Sequence, residues 1–157
     1  DLLSISDSLE VTSSHGIHLH CDALASQVDL ASYALMFLPG GMPGTLNLGA
    51  SALVTDEVCR RSAAGQPLAA ICAAPSILAE HGALQARHAT ANPGFMDAIA
   101  AGGALMSEAA VVRDANLITS RGMGTATELG FEIIRLLLGD DAEQVVARVK
   151  QGIVYQR

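Results

Sequence analysis

The chain has 157 residues, enough for one domain with a sizeable buried core. Half of them are hydrophobic and 16% are charged, which excludes a disordered chain. A net charge of −7, with nine scattered Lys and Arg, repels phosphate backbones and argues against a nucleic-acid partner.

Short β-like and helix-like runs alternate along the chain, as they do in an α/β sheet. Residues 3–6 and 10–13 read as short strands. Residues 17–21 alternate apolar and polar side chains, as a half-buried strand does. "ALMFL", 34–38, reads as a buried strand ended by Pro39-Gly40-Gly41. Residues 51–64 are predicted as a helix, with Ser51 as N-cap and Arg60 and Arg61 near the end where positive charge suits the helix dipole. Gly65 is the expected C′ residue.

Residues 68–71 form the next predicted strand, and a helix starts at about Pro75. Two strands, 109–113 and 117–119, flank the turn Asp114-Ala115-Asn116. Residues 125–138 are the longest predicted helix, with Leu129, Ile133, Leu136 and Leu137 at helical spacing and Gly139 ending it. Asp140 is expected to cap the last helix, which runs to about Lys150, with Glu143 completing a capping-box pattern.

No apolar stretch reaches the roughly 18 residues that span a bilayer, so no membrane partner is expected. Residues 1–10 are polar and lack the basic start of a signal peptide. Three cysteines, Cys21, Cys59 and Cys72, form no CxxC pair, which suits a reducing compartment and a cytoplasmic protein.

Three strand ends carry residues with chemical potential. In "LAAICAAPSIL" the strand pattern gives way to a helix pattern at Cys72. That junction lies at the C-terminal edge of the sheet, where ligands bind in open α/β folds. The free N–H groups of the next helix would stabilise a thiolate there, which is the logic of a nucleophile elbow. The tight turn needs small neighbours, and Ala70, Ala73 and Ala74 are small. Cysteine is also among the most buried residue types, so the local sequence leaves a small core residue open as well.

The glycines of Leu38-Pro39-Gly40-Gly41 could expose N–H groups to an oxyanion or simply make a strand-ending turn. In Thr119-Ser120-Arg121-Gly122-Met123-Gly124-Thr125, Arg121 could orient a neighbouring loop. Phosphate cradling is weak there because the Walker Lys is absent. His18 and His20 would share one strand face, but no acid or thiol at a metal-ligand spacing accompanies them, so a solvated polar face is expected and no metal.

"LMFLPGG", "LAAICAAPSIL" and "LITSRGMGTATELGFEII", with the closing "LLGDDAEQVVARVKQGIVY", together resemble the ThiJ/PfpI superfamily over almost the whole chain. The likeness is to its YajL branch, which includes the DJ-one proteins. The resemblance implies one domain over 1–157 with a flavodoxin-like three-layer α/β sandwich, a mostly parallel central sheet and usually a homodimer. It implies that Cys72 is a reactive, oxidisable elbow cysteine and that the backbone N–H groups of Gly41 and Ala73 form the oxyanion hole. Gly40, His15 and Arg121 would neighbour the site or the dimer interface. Ser13-Ser14-His15-Gly16 matches a segment near that interface, although several relatives carry Arg where this chain has His15.

Two departures stand out. The family begins with a strand, a "DGxEE"-like loop and a helix, and the loop supplies a Glu that hydrogen-bonds the cysteine. This chain starts after that unit, with about 35 to 40 residues absent by the size of a βα unit. Such a sheet is expected to have a gap and exposed strand edges. The unit is expected to exist, on the same polypeptide or a separate one. Second, where some relatives place a His before a Pro, this chain has Asn92 before Pro93, and nothing places His88 beside Cys72. A protease, which needs a base for its thiol, loses weight.

The activity implied is a glyoxalase or deglycase reaction on α-oxoaldehydes or their early adducts, without a cofactor. The alternatives are a redox-regulated chaperone or stress sensor, and an inactive member of the fold.

Overall fold

The computed structural model describes residues 1–156. Four short strands come first: β1 (Leu3–Ser4), β2 (Glu10–Thr12), β3 (His18–His20) and β4 (Ala23–Leu24). β5 (Met36–Leu38) is followed by α1 (Gly44–Ala50), α2 (Ala52–Ala64), β6 (Leu68–Ile71) and α3 (Pro75–Glu80). β7 (His88–Ala89), α4 (Met96–Ala101) and β8 (Leu105–Met106) precede β9 (Val111–Asp114) and β10 (Leu117–Ser120). α5 (Ala126–Leu138) and α6 (Ala142–Gly152) end the described chain.

The central sheet has the order β5-β6-β10-β9. β6 lies between β5 and β10 and runs parallel to both, with Leu68 opposite Met36 on one side and Leu117 on the other. β9 is antiparallel to β10, across the Ala115 turn at φ 52°. Every residue of β6 and β10 is buried, because helices cover both faces. On one face Leu38, Leu68 and Ala70 pack with Val54 and Val58 of α2 and Ile77 and Leu78 of α3. On the other, Ala69, Ile71 and Ile118 pack under Leu129 of α5, with Ile133 and Leu136 alongside. This is a flavodoxin-like three-layer α/β sandwich.

The expected strands and helices all occur, most of them shorter than the sequence patterns, but β3 is exposed throughout rather than half-buried and β5 buries only Leu38, because β3 lies in a two-stranded hairpin and β5 at the edge of its sheet. α1, α4, β4, β7 and β8 carry no strong periodicity and escape a sequence reading. Ser51 precedes α2, but its carbonyl rather than its side chain serves the helix, accepting from the Val54 and Thr55 N–H groups at 3.0 Å. Gly65 closes α2 at φ 64°. One capping expectation is wrong. Asp141, not Asp140, stands at the N-cap of α6, and its side chain makes no cap bond. Glu143 turns away to the Arg135 guanidinium at 2.6 Å, because an ion pair joining α5 to α6 competes successfully for the carboxylate.

β1 pairs with β4, and this small parallel ladder does not join β5. A cavity of about 420 Å³ separates them, with Leu2, Leu3 and Ile5 on one wall and Met36, Phe37 and Leu38 on the other. Its floor is fixed by Arg61, which is 1% exposed. The guanidinium donates to Glu57 and to the carbonyls of Leu30, Tyr33 and Pro67. Phe37 is 43% exposed beside the cavity, so the expected gap in the sheet corresponds to an open strand edge at β5.

Candidate active site

Only Cys72, Ala73 and Ala74 separate the end of β6 from the first turn of α3. A connection that short forces Cys72 to φ 65°, the left-handed region that side chains other than glycine avoid at a cost of about 1–3 kcal/mol. Two backbone bonds hold it there. Its N–H donates to the Ser120 carbonyl at the end of β10, and its carbonyl accepts from the Asn92 N–H, both at 2.9 Å. Cys72 is a free, half-buried thiol, whereas Ala73 and Ala74 are fully packed. Pro75 opens α3, and the Ser76 hydroxyl donates to the Ala73 carbonyl at 2.8 Å.

The Pro39-Gly40-Gly41 turn ends β5 next to this elbow. A β-carbon added to Gly40 would stand 2.5 Å from Cys72 Cβ and 2.6 Å from the Ile71 carbonyl oxygen. Glycine is therefore required at 40 by close approach. Gly41 needs it for a different reason, a φ of 94°. The Gly41 carbonyl accepts from both the N–H and the hydroxyl of Thr45, which ties the turn to α1. The Gly41 and Ala73 N–H groups make no backbone hydrogen bond among the described residues. They flank the point where Gly40 touches Cys72.

A polar cleft of about 390 Å³ opens on the same glycines. Thr12, Ser13 and Ser14 of the β2–β3 turn form one side and Gly44 and Asn47 of α1 the other. The turn is therefore brought to the elbow although it lies some sixty positions away in sequence. His15 is exposed at its tip, with Nδ1 3.1 Å from the Ser14 hydroxyl, and does not line the cleft. Arg121 does orient a loop, donating to the Glu108 carbonyl at 2.8 Å while its N–H holds Ala110.

His88 sits elsewhere. Its N–H donates to Asp114, which pairs with Leu117 at the start of β10, whereas Cys72 bonds Ser120 at the end. The two are separated by the length of the strand, roughly 10 Å at 3.3 Å per residue. Asn92 is at the elbow through its backbone. Its side chain accepts from the Gly94 N–H at 3.1 Å and caps the turn after Pro93. A β-carbon on Gly122 would come within 3.9 Å of the Asn92 amide nitrogen, so the third junction reaches the same place. From sequence, Asn92 stands only where some relatives carry an imidazole. The following Pro93 holds it extended and is the signal that could have placed its N–H.

His18 and His20 share an exposed face and bond across the hairpin, to the Thr12 hydroxyl at 3.0 Å and the Glu10 carboxylate at 2.5 Å. Among the described residues no three His, Cys, Asp or Glu gather as a metal site. No described helix is long and apolar enough to cross a membrane.

Comparison with known proteins places this geometry. A model described as the DJ-1/PfpI family matches residues 2–136. Protein dj-1beta of Drosophila melanogaster is 36% identical over 138 residues, which cover 88% of this chain and 74% of that one. A protein named a deglycase, from Pyrococcus abyssi, is 31% identical over 129 residues, covering 81% of this chain and 76% of its own. The match to the longer DJ-1 homolog A of Arabidopsis thaliana, 33% identical, covers 93% of this chain and 38% of that protein. The oxidised Toxoplasma gondii DJ-1 structure superposes with a TM-score of 0.88 at 31% identity, over 99% of this chain and 82% of its own. On its sequence and its fold alike, the chain belongs to the DJ-1/PfpI family.

Proposed function

We propose that Cys72 is the nucleophile of a cofactor-independent glyoxalase or deglycase reaction on small α-oxoaldehydes or their early adducts. The observation that carries this reading is the left-handed Cys72 held against Gly40, beside N–H groups free to receive an oxyanion. The name of the Pyrococcus abyssi relative supports the same reaction class.

The Cys72 sulfur adds to the aldehyde carbon, and the carbonyl electron pair moves to oxygen, where the Gly41 and Ala73 N–H groups meet it. The hydrogen on that carbon then leaves as a proton and is returned to the adjacent carbon as the ketone is reduced. The product is a thioester of a 2-hydroxy acid, and water releases it and restores the thiol. Methylglyoxal plus water becomes lactate, so no external oxidant or reductant is needed. The polar cleft over Ser13, Ser14 and Asn47 would take the remainder of an adduct.

The proton needs a carrier. We assign it to a carboxylate on a strand–loop–helix unit whose strand lies along the open edge of β5, in the cavity beside β1, on the same polypeptide or a second one. Pro39 lines that cavity, one residue from Gly40. With that unit supplied, Cys72→Ser should lower methylglyoxal turnover by at least about a hundredfold, since a serine hydroxyl gives up its proton to a carboxylate far less readily than a thiol and is the weaker nucleophile. Turnover at the wild-type rate overturns the assignment.

The half-exposed thiol also favours a second reading, a redox-regulated chaperone or stress sensor in which Cys72 becomes a sulfinate. Peptide mass mapping after mild peroxide checks it. A Cys72 that stays reduced while Cys21 and Cys59 oxidise removes this reading.

A further inference from the structure

Cys59 and His81 meet outside the elbow. Cys59 is on the exposed face of α2, while His81 is half-buried just after α3. The His81 backbone is fixed by its N–H, which donates to the Ile77 carbonyl at 3.2 Å. Its ring presents Nδ1 to the Cys59 sulfur at 3.9 Å, within the range of a hydrogen bond to sulfur. A thiol at solvent and an imidazole at its side are the two parts of an activated thiol, because a thiolate forms when a neighbouring base takes the proton. The other two cysteines lack this combination. Cys21 is 2% exposed, and the Cys72 thiol lies in the elbow, away from His88.

We propose that Cys59 and His81 form a second thiol site, separate from the reaction at Cys72, which exchanges with low-molecular-weight disulfides. With its proton on Nε2, His81 accepts the Cys59 proton at Nδ1. The thiolate attacks one sulfur of the small disulfide, forming a new S–S bond as the old one breaks. The leaving thiolate takes the proton back from the imidazolium. Cys59 ends as a mixed disulfide, one free small thiol is released, and His81 is neutral again. The small disulfide is the oxidant, and it is the only co-reactant needed. The exposure of Cys59 leaves room for the adduct, and a second thiol reverses the step.

The test uses the Cys72→Ser chain, so that elbow chemistry contributes nothing, with oxidised glutathione as probe and peptide mass mapping over time. At pH 7, Cys59 should form the adduct at least about tenfold faster than Cys21, which is buried and has no imidazole beside it. His81→Gln should slow Cys59 at least about fivefold at pH 7. Near pH 10, where hydroxide replaces the imidazole as the base, the two chains should react at equal rates. Equal rates at pH 7 overturn the proposal. So does an equal slowing at both pH values, which would show that the substitution only alters access. His81→Asn repeats the comparison if the Gln variant is unstable. Since the readout is adduct at Cys59 and not turnover, failure here leaves the Cys72 reaction untouched, and the reverse also holds.

Discussion

At the scale of single residues, two adjacent glycines do different work, and substitution should separate them. Alanine at 40 places a methyl 2.5 Å from Cys72 Cβ, with backbone oxygen of Ile71 behind it. Neither neighbour is the end of a flexible side chain, so the elbow must move. Alanine at 41 has open space around its methyl but keeps φ at 94°. Gly40→Ala should therefore slow iodoacetamide labelling of Cys72 at least about tenfold, since a 1 Å displacement of reacting groups is already costly. Gly41→Ala should change that rate less than about threefold and lower stability by about 1–2 kcal/mol, the cost of a left-handed alanine. Labelling kinetics and urea unfolding read the two effects. The strand–turn–helix junction and the small residues around Cys72 were legible in sequence. The reason for Gly40 was not, because its contact is to a strand thirty positions later.

Acid sensitivity also belongs to single residues. The Arg60 guanidinium, with Arg61 beside it, holds the Glu57 carboxyl below the usual carboxylate range, although burial opposes this. The His88 N–H and the Arg87 guanidinium do the same for Asp114. In both cases the folded state binds its proton more weakly than the unfolded chain. The stabilisation is complete above the unfolded value of about 4 to 4.5 and is lost as pH falls through the lower folded value. Glu57→Gln should reduce stability at pH 7 and flatten its fall between about pH 5 and 3, measured by thermal unfolding across pH.

At the scale of elements, α2 shows how much a helix pattern conceals. Arg60 and Arg61 look equivalent in sequence, two cations at a helix end. In the fold Arg60 turns outward to Glu57 and Gln66, whereas Arg61 turns inward and satisfies three backbone carbonyls. The i,i+4 spacing from Glu57 was visible, but which face of α2 would meet the 30–33 turn was not. Arg61→Met should cost about 3 kcal/mol or more, because it leaves three backbone carbonyls without their donor and takes one of two guanidinium partners from a largely buried carboxylate. Chemical denaturation measures it. Lysine should rescue little, since one ammonium lacks the planar fork that reaches four acceptors. The same competition undid the expected cap at Asp140. Glu143 had a choice between the helix end and Arg135, and only the packing of α5 on α6 decided it.

At the scale of the molecule, the sheet is strongest at its centre and open at one edge. β6 and β10 are buried on both faces and paired on both sides. In β5 the Met36 N–H points to β6, donating to Pro67. Alternation then turns the Phe37 N–H to the outer edge, into the cavity beside β1. The Phe37 amide should exchange with solvent at least about a hundredfold faster than those of Ala70 and Thr119, which open only with global unfolding. A strand–loop–helix unit bound in the cavity should protect it. Amide exchange by NMR reads both states.

The sequence by itself determined the alternation of strand and helix, the thiol at a strand end and the family likeness. These follow from local pattern: apolar runs, turn glycines and short spacings act over a few residues. Only the tertiary structure decided which junctions meet. It brought Gly40 against Cys72, set the Asn92 N–H on the elbow carbonyl, swung the Ser13–Ser14 turn over the glycines and sent His88 to the far end of the sheet. Those placements depend on strand order and crossover, and strand order is fixed by how distant apolar faces are buried together.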